Sequence, residues 1–256
     1  MFIDTHCHLD SGEFDGKIEA ILQSCKSQGI EYFIIPGADI GDLKKATSLA
    51  EANANIYFSV GIHPNEAESL DDSTLDFMAD SALHKKCLAI GEIGLDYHYN
   101  NDAKTKKTQE IALRTQINLA INLKKPIIIH TRESTADIMK ILKDYESDLE
   151  SVIFHCFSGD MELVGALKCK CYYGIGGVIS FKNARILHEN ARKLPLDSII
   201  LETDAPYLAP TPHRGKTNSP EFIPLIASHL AQNLNVSVEK IAEITTQNAF
   251  NAFKFN

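Results

Sequence analysis

Residues 126–131 read Pro-Ile-Ile-Ile-His-Thr, and residues 151–156 read Ser-Val-Ile-Phe-His-Cys. Each is a short, nearly continuous apolar run that ends on a histidine. A run of this length without polar alternation suits a parallel strand covered on both faces. Pro126 stands at the start of its run, where a strand tolerates a missing N–H. Outward from these two, the same unit recurs at 2–6, 32–37, 57–63, 87–92, 171–177 and 199–204, which makes eight predicted strands. Amphipathic segments fill the gaps. Residues 15–28 place Ile18, Ile21, Leu22 and Cys25 on one stripe, and 104–123 form a longer helix. Helices are also predicted near 41–53, 72–84, 134–144, 160–169, 183–192 and 221–234, and 237–253 adds a C-terminal helix with no strand after it. Strands alternating with helices fit either a (β/α)8 TIM barrel or an open doubly wound sheet. Eight units in 256 residues favour the closed α/β barrel, for which about 250 residues is typical. No linker breaks the composition, so 1–256 reads as one domain.

The polar residues sit where the runs end. His6 and His8 close the first run, two residues apart and so on the same side of an extended segment. His63 ends the third run, Glu92 the fourth, His130 the fifth, His155 the sixth and Asp204 the eighth. Ionisable groups at such places cost several kcal/mol if buried without partners (roughly 2–7 for a neutral polar group). In a closed barrel the C-terminal ends of the strands converge on one pocket, so the pattern predicts a metal or substrate site. Four histidines and two carboxylates (His6, His8, His130, His155, Glu92, Asp204) exceed the usual share of one ion. Two divalent ions, about 3.5–4 Å apart and bridged by Glu92, fit better. Mixed nitrogen and oxygen donors leave Mg, Mn and Zn open. The chemistry implied is hydrolysis by metal-activated water, with Glu92 and Asp204 as catalytic carboxylates. Asp4 is a candidate partner behind the histidines, and Glu202 an orienter or deeper ion-pair partner.

Other readings are bounded by what is missing. No GxGxxG follows the first strand, no GxxxxGK[ST] appears, and no GxSxG elbow supports Ser158. Gly174-Ile175-Gly176-Gly177 reads as close backbone packing at a strand end. The six cysteines form no CxxC pair, which fits free thiols in a reducing compartment. No signal-like start and no membrane-length apolar run appear, so a cytoplasmic location is expected, with no membrane partner and no organic cofactor. A monomer is favoured. The net charge of −9 argues against a general nucleic-acid coat protein, though not against an enzyme that grips one phosphate. Arg132, Lys182, Arg185, Arg214 and Lys216 follow predicted strands and are candidate substrate contacts, together with His63. Asn101 to Lys107, beyond Tyr97-His98-Tyr99, reads as a further lip with aromatic groups for stacking on a base. A cyclic amide, lactone or amino-acid derivative stays open as substrate beside a phosphate ester.

Taken together the motifs resemble those of the TatD-type metal-dependent deoxyribonucleases, within the amidohydrolase-like superfamily. They run from Asp4-Thr5-His6-Cys7-His8 through Gly61-Ile62-His63-Pro64 and Gly91-Glu92-Ile93-Gly94-Leu95-Asp96-Tyr97. Then come His130-Thr131-Arg132, His155-Cys156-Phe157-Ser158-Gly159, Glu202-Thr203-Asp204-Ala205-Pro206 and Thr246-Gln247-Asn248, so that essentially the whole chain is covered in order. The resemblance implies DNA as substrate and 3′-to-5′ exonuclease action on single-stranded or frayed ends. It also implies the six-residue ligand set above, with His63 holding the scissile phosphate. A related branch implies D-aminoacyl-tRNA deacylation as an alternative. The loop after the eighth strand departs from the family pattern at Thr217 and Ser219, as does Asn251 near the end.

Overall fold

The computed structural model describes residues 1–255. The apolar runs form eight strands: β1 (Phe2–Asp4), β2 (Ile30–Ile35), β3 (Ile56–Val60), β4 (Cys87–Asp96), β5 (Ile127–Arg132), β6 (Ser151–Phe154), β7 (Lys170–Ile175) and β8 (Ile199–Leu201). Neighbours are parallel and follow chain order from β1 to β8. The residues after β1 then pair with those of and after β8. Thr5 N–H donates to the Leu201 carbonyl (3.1 Å), Asp204 N–H to His6 (2.8 Å) and His8 N–H to Ala205 (2.8 Å). These bonds close the sheet into a barrel and exclude the open alternative.

Around it lie α1 (Ile18–Ser27), α2 (Ile40–Ala52), α3 (Asp72–Ala82), α4 (Ala103–Leu123), α5 (Thr135–Lys143), α6 (Arg185–Ala191), α7 (Ile223–Leu234) and α8 (Val238–Phe253). The helix expected at 160–169 does not form. Only a 3-10 turn, Met161–Leu163, connects β6 to β7. The Asp160 side chain accepts from Glu162 N–H and caps that turn. Gly165 then adopts a left-handed φ of 69°, a conformation open to glycine that stops a helix.

Successive strand residues divide between two packing layers. Ile127, Ile129, Val152, Phe154, Ile199 and Leu201 face the helices, packed with Leu113, Ile117 and Ile138. The residues between them, Ile128, Ile153 and Ile200, fill the barrel interior with Ile3, Ile34 and Ala89. Each such buried isoleucine is worth about 1.5–3 kcal/mol relative to exposure. Ala249, Ala252 and Phe253 of α8 join this inner cluster and plug one end of the barrel. That end holds the strand starts: Thr246 Oγ1 donates to the Met1 carbonyl, Ser151 Oγ to Ala252, and Asn248 Nδ2 to Ile199. The interior rows continue toward the other end as polar residues. Ile128 leads to His130 and Arg132, Ile153 to His155, and Ile200 to Glu202 and Asp204, each two residues further on.

Candidate metal centre

Those rows converge. Glu92 of β4 lies at the middle, 3% exposed. Its Oε1 is 2.8 Å from His130 Nδ1, 3.2 Å from His155 Nε2 and 3.6 Å from His63 Nε2. Its Oε2 is 3.2 Å from His6 Nε2. Asp204 Oδ1 stands 3.8 Å from His6 Nε2 and 3.7 Å from His8 Nε2. Three donor groups result: His6 with Glu92 and His155, His6 with His8 and Asp204, and His63 with Glu92 and His130.

The donor set fits a divalent cation. Both ring nitrogens of His6 are buried and make no hydrogen bond to the described residues, although Glu92 and Asp204 oxygens lie within 4 Å of Nε2. Nitrogen and oxygen lone pairs that share a space without hydrogen-bond geometry are what a common cation satisfies. His6 also stacks on His155 with ring centroids 3.9 Å apart, an arrangement that two charged imidazoliums would resist.

The charge states of His8, Glu92 and Asp204 suit a cation, whereas His130 and His155 are biased toward the proton in its absence. Burial pushes His8 down to about 3 and His63 down to about 4, so both rings are neutral at neutral pH; the His63 lone pair at Nδ1 accepts from Asn65 N–H, which leaves the His8 lone pair for a cation. Burial disfavours ionised Glu92, but His155 and His130 outweigh it and hold the carboxyl well below its usual range. Burial raises Asp204 to about 6. Burial opposes the charge on His130 and His155 as well. Asp96 and Glu92 overcome it for the first, Glu92 and Glu202 for the second, so both are raised.

Supporting contacts come from three acids. Asp4 Oδ1 accepts from Thr203 N–H (2.9 Å) and His6 N–H (3.3 Å), and Oδ2 from Thr203 Oγ1 (2.6 Å). It therefore clamps backbone at the barrel seam rather than an imidazole. Glu202 Oε1 accepts from Cys156 N–H (2.6 Å) and lies 3.4 Å from His155 Nδ1. The third was not singled out in sequence. Asp96 Oδ2 is 3.0 Å from His130 Nε2, and Asp96 Oδ1 accepts from His98 N–H. β4 runs on to Asp96, four residues past Glu92 where the apolar run stopped, so the same two-residue parity could have found it.

The cluster opens into a cleft of about 560 Å³. Arg132 is the one lysine or arginine among the described residues that line it, whereas Asp39, Asp42 and Glu66 line it too. Tyr207 lines it beside His8, ring centroids 6.0 Å apart, and was likewise unassigned in sequence. Lys182, Arg185, Arg214 and Lys216 do not line it. All four are exposed. Arg214 packs on the Phe181 ring at 4.2 Å, and the loop that carries it is anchored by Asn218, whose Nδ2 donates to the Thr203 and Tyr207 carbonyls. A cavity of about 880 Å³ near α8 and Met1 lies at the plugged end, with no histidine among the described residues that line it. Among the described residues no helix is long and apolar enough to cross a membrane.

A closed (β/α)8 barrel with histidines and carboxylates gathered at its strand ends defines a metal-dependent hydrolase. The family described as TatD related DNase matches residues 3–254, and the chain belongs to it. It is 36% identical over 257 residues to the uncharacterised metal-dependent hydrolase YabD of Bacillus subtilis, covering 100% of both chains. It is 32% identical to YcfH of Escherichia coli K12, covering 97% of this chain and 94% of that one. The crystal structure of YjjV, a TatD homologue from Escherichia coli K12, superposes with a TM-score of 0.90 at 30% identity, covering 99% of this chain and 98% of the other.

Proposed function

We infer that the protein hydrolyses phosphodiester bonds at the ends of DNA strands, removing nucleotides from single-stranded or frayed 3′ ends. The observation that carries this reading is the state of His63. Asn65 N–H donates to His63 Nδ1 (3.2 Å), and the ring is neutral. The remaining proton is then on Nε2, which faces Glu92 and the cleft. Such a ring is a donor for substrate rather than a ligand. With Arg132 it gives two donors beside the cluster, which matches the two non-bridging oxygens of a phosphodiester. An amide or ester carbonyl develops one oxyanion and needs less. The acids Asp39, Asp42 and Glu66 repel a continuing polyanion, which favours a chain end over duplex interior.

Glu92 presents its two oxygens to different donors, as a bridge between two cations would. One would be held by His6, His8, Asp204 and Glu92, the other by Glu92, His130 and His155. Imidazole-rich ligation suits Zn or Mn better than Mg. Divalent cations held there would supply an acidified water and a Lewis acid for a phosphoryl oxygen. The chain's own groups do the rest. Asp204, whose Oδ1 stands between His6 and His8 at 3.8 and 3.7 Å, would orient the attacking water and accept its proton. His63 and Arg132 orient the phosphate.

The test is cleavage of end-labelled single-stranded and duplex DNA with Mn, Zn or Mg. His63→Ala and Glu92→Gln should each lower turnover by about 10²–10³, the usual cost of losing one preorganised group. Turnover of cyclic amides without phosphodiester cleavage would overturn the assignment.

A further inference from the structure

Beside the metal cleft lies a second chamber of about 490 Å³, between the 3-10 turn Pro64–Ser69 and the first turns of α4. The two are contiguous. Asn65, Glu66, Asp96 and Tyr99 line both. Tyr99 is the shared wall, and it is 74% exposed, an unusual place for a large ring. Arg132 braces it, with its guanidinium 5.2 Å from the ring centroid and Nη1 donating to the Tyr99 hydroxyl at 3.4 Å. Arg132 itself lines the metal cleft and not the chamber.

The two spaces differ in chemistry. The metal cleft holds the histidines and the arginine. Among the described residues that line the chamber there is no lysine, arginine or histidine, and its wall carries Glu66, Asp96 and Glu68, the last 3.2 Å from Lys104 Nζ. A phosphate would be repelled there. Its neutral groups are available: the Asn65 side-chain amide and the Thr108 hydroxyl make no hydrogen bond to the described residues, and Asn100 uses only Oδ1, to accept from Asp102 N–H. An uncharged, planar, hydrogen-bonding ligand suits amides and a hydroxyl beside an aromatic face.

We propose that this chamber is the base-binding subsite of the enzyme. It takes the nucleobase of the terminal nucleotide, stacked on Tyr99 and bonded by Asn65, Asn100 and Thr108, while the attached phosphate lies at Arg132 and the metal cluster. The proposal rests on the nucleotide reading above and deepens it. The preference it implies is for a substrate with an intact base, because an abasic sugar phosphate leaves the chamber empty.

Binding rather than turnover tests it. Calorimetry on the Mn-loaded protein compares deoxynucleoside 5′-monophosphates with 2-deoxyribose 5-phosphate. The wild type should bind the nucleotide about tenfold or more tightly, the worth of stacking one base on one aromatic. Thr108→Phe, which obstructs the chamber, should shrink the difference to within about threefold while leaving deoxyribose 5-phosphate affinity near wild type, and Tyr99→Ala, which removes the stacking wall together with Arg132's hydroxyl partner, should shrink the difference as far. No preference in the wild type, or an undiminished preference in both variants, overturns the subsite. The phosphodiesterase reading fails separately. If base-dependent binding holds but end-labelled DNA is not cleaved, the subsite stands and the reaction assignment falls.

Discussion

His130 holds a carboxylate at each ring nitrogen, Glu92 Oε1 at 2.8 Å and Asp96 Oδ2 at 3.0 Å. Donating to both requires the doubly protonated ring, which is why these acids raise it. A cation beside Glu92 would displace the Nδ1 proton, and Asp96 would keep the other and fix the ring's orientation. Asp96→Asn keeps the shape and removes the charge. It should weaken metal affinity by about 10–100-fold while the metal-free protein melts near wild type. Unchanged affinity by competitive chelator titration would show that Asp96 is only structural. Asp204 gives a pH signature. Its folded pKa, about 6, lies above the ordinary 3.8. Stability from that group is therefore fully present below 3.8 and is lost as pH rises through 6. Metal-free wild type should lose stability to urea relative to Asp204→Asn between pH 4 and pH 7, and added Mn should reverse the loss. A gap independent of pH would contradict the burial argument. At this scale the histidines and acids were legible because strand parity places them. The loop cations were not, since sequence charge does not tell which way an arginine leans. Arg214 chose the Phe181 ring.

β7 shows how an element makes room for a site. A Cβ at Gly174 would collide with the Glu202 carboxyl, and one at Gly177 with the Leu208 carbonyl. The glycine run reads from sequence as close backbone packing, which holds at Gly177 beside Leu208, whereas Gly174 makes room for a side chain and lets Glu202 reach Cys156 N–H and His155. Gly174→Ala should destabilise the fold by about 1–3 kcal/mol through overpacking. It should also weaken metal binding, because His155 loses the carboxylate behind it. A stability loss with unchanged metal affinity would separate Glu202 from the centre. The 160–169 segment shows the opposite limit. Its apolar spacing, Met161, Leu163, Val164 and Leu167, is compatible with a helix. The decision was made by Gly165 and the capped turn at Asp160, local terms that a periodicity reading does not weigh. β4 outruns the apolar stretch 87–92 for a related reason. Beyond Glu92 its side chains alternate between Ile93 and Leu95, which face the helices, and Gly94 and Asp96, so the continuous apolar run ends while the strand continues.

Across the whole molecule, one end of the barrel is plugged by apolar α8 and the other gathers uncompensated polar groups. Closure was legible from the number of units and the chain length, and the bonds between the segments following β1 and β8 supply what a pattern cannot. The arrangement makes the metal-free protein carry a cost. Among the described residues, the two buried nitrogens of His6 and Glu202 Oε2 find no hydrogen-bond partner, and Glu92 and Asp204 are desolvated. Cations bind the folded cluster and not the dispersed residues of the unfolded chain, so their binding energy is folding energy. At a free concentration of 1,000 times the dissociation constant this is about 4 kcal/mol per ion. For a chain of this size each kcal/mol moves the melting temperature by roughly 2–4 °C. Chelation should therefore lower it by roughly 8–16 °C per ion lost, with Mn or Zn restoring it in one step or two according to the number of ions held. The acids that line the cleft alongside Arg132 sharpen the reading further. A site built to attract DNA at large would not carry Asp39, Asp42 and Glu66 beside a single arginine. Added salt should thus weaken substrate binding with a slope of about one or two phosphates, not the six or more of a protein that coats a strand. A steep salt dependence would place the main contacts on the outer loops, with Lys182, Arg185 and Lys216, and not in the cleft.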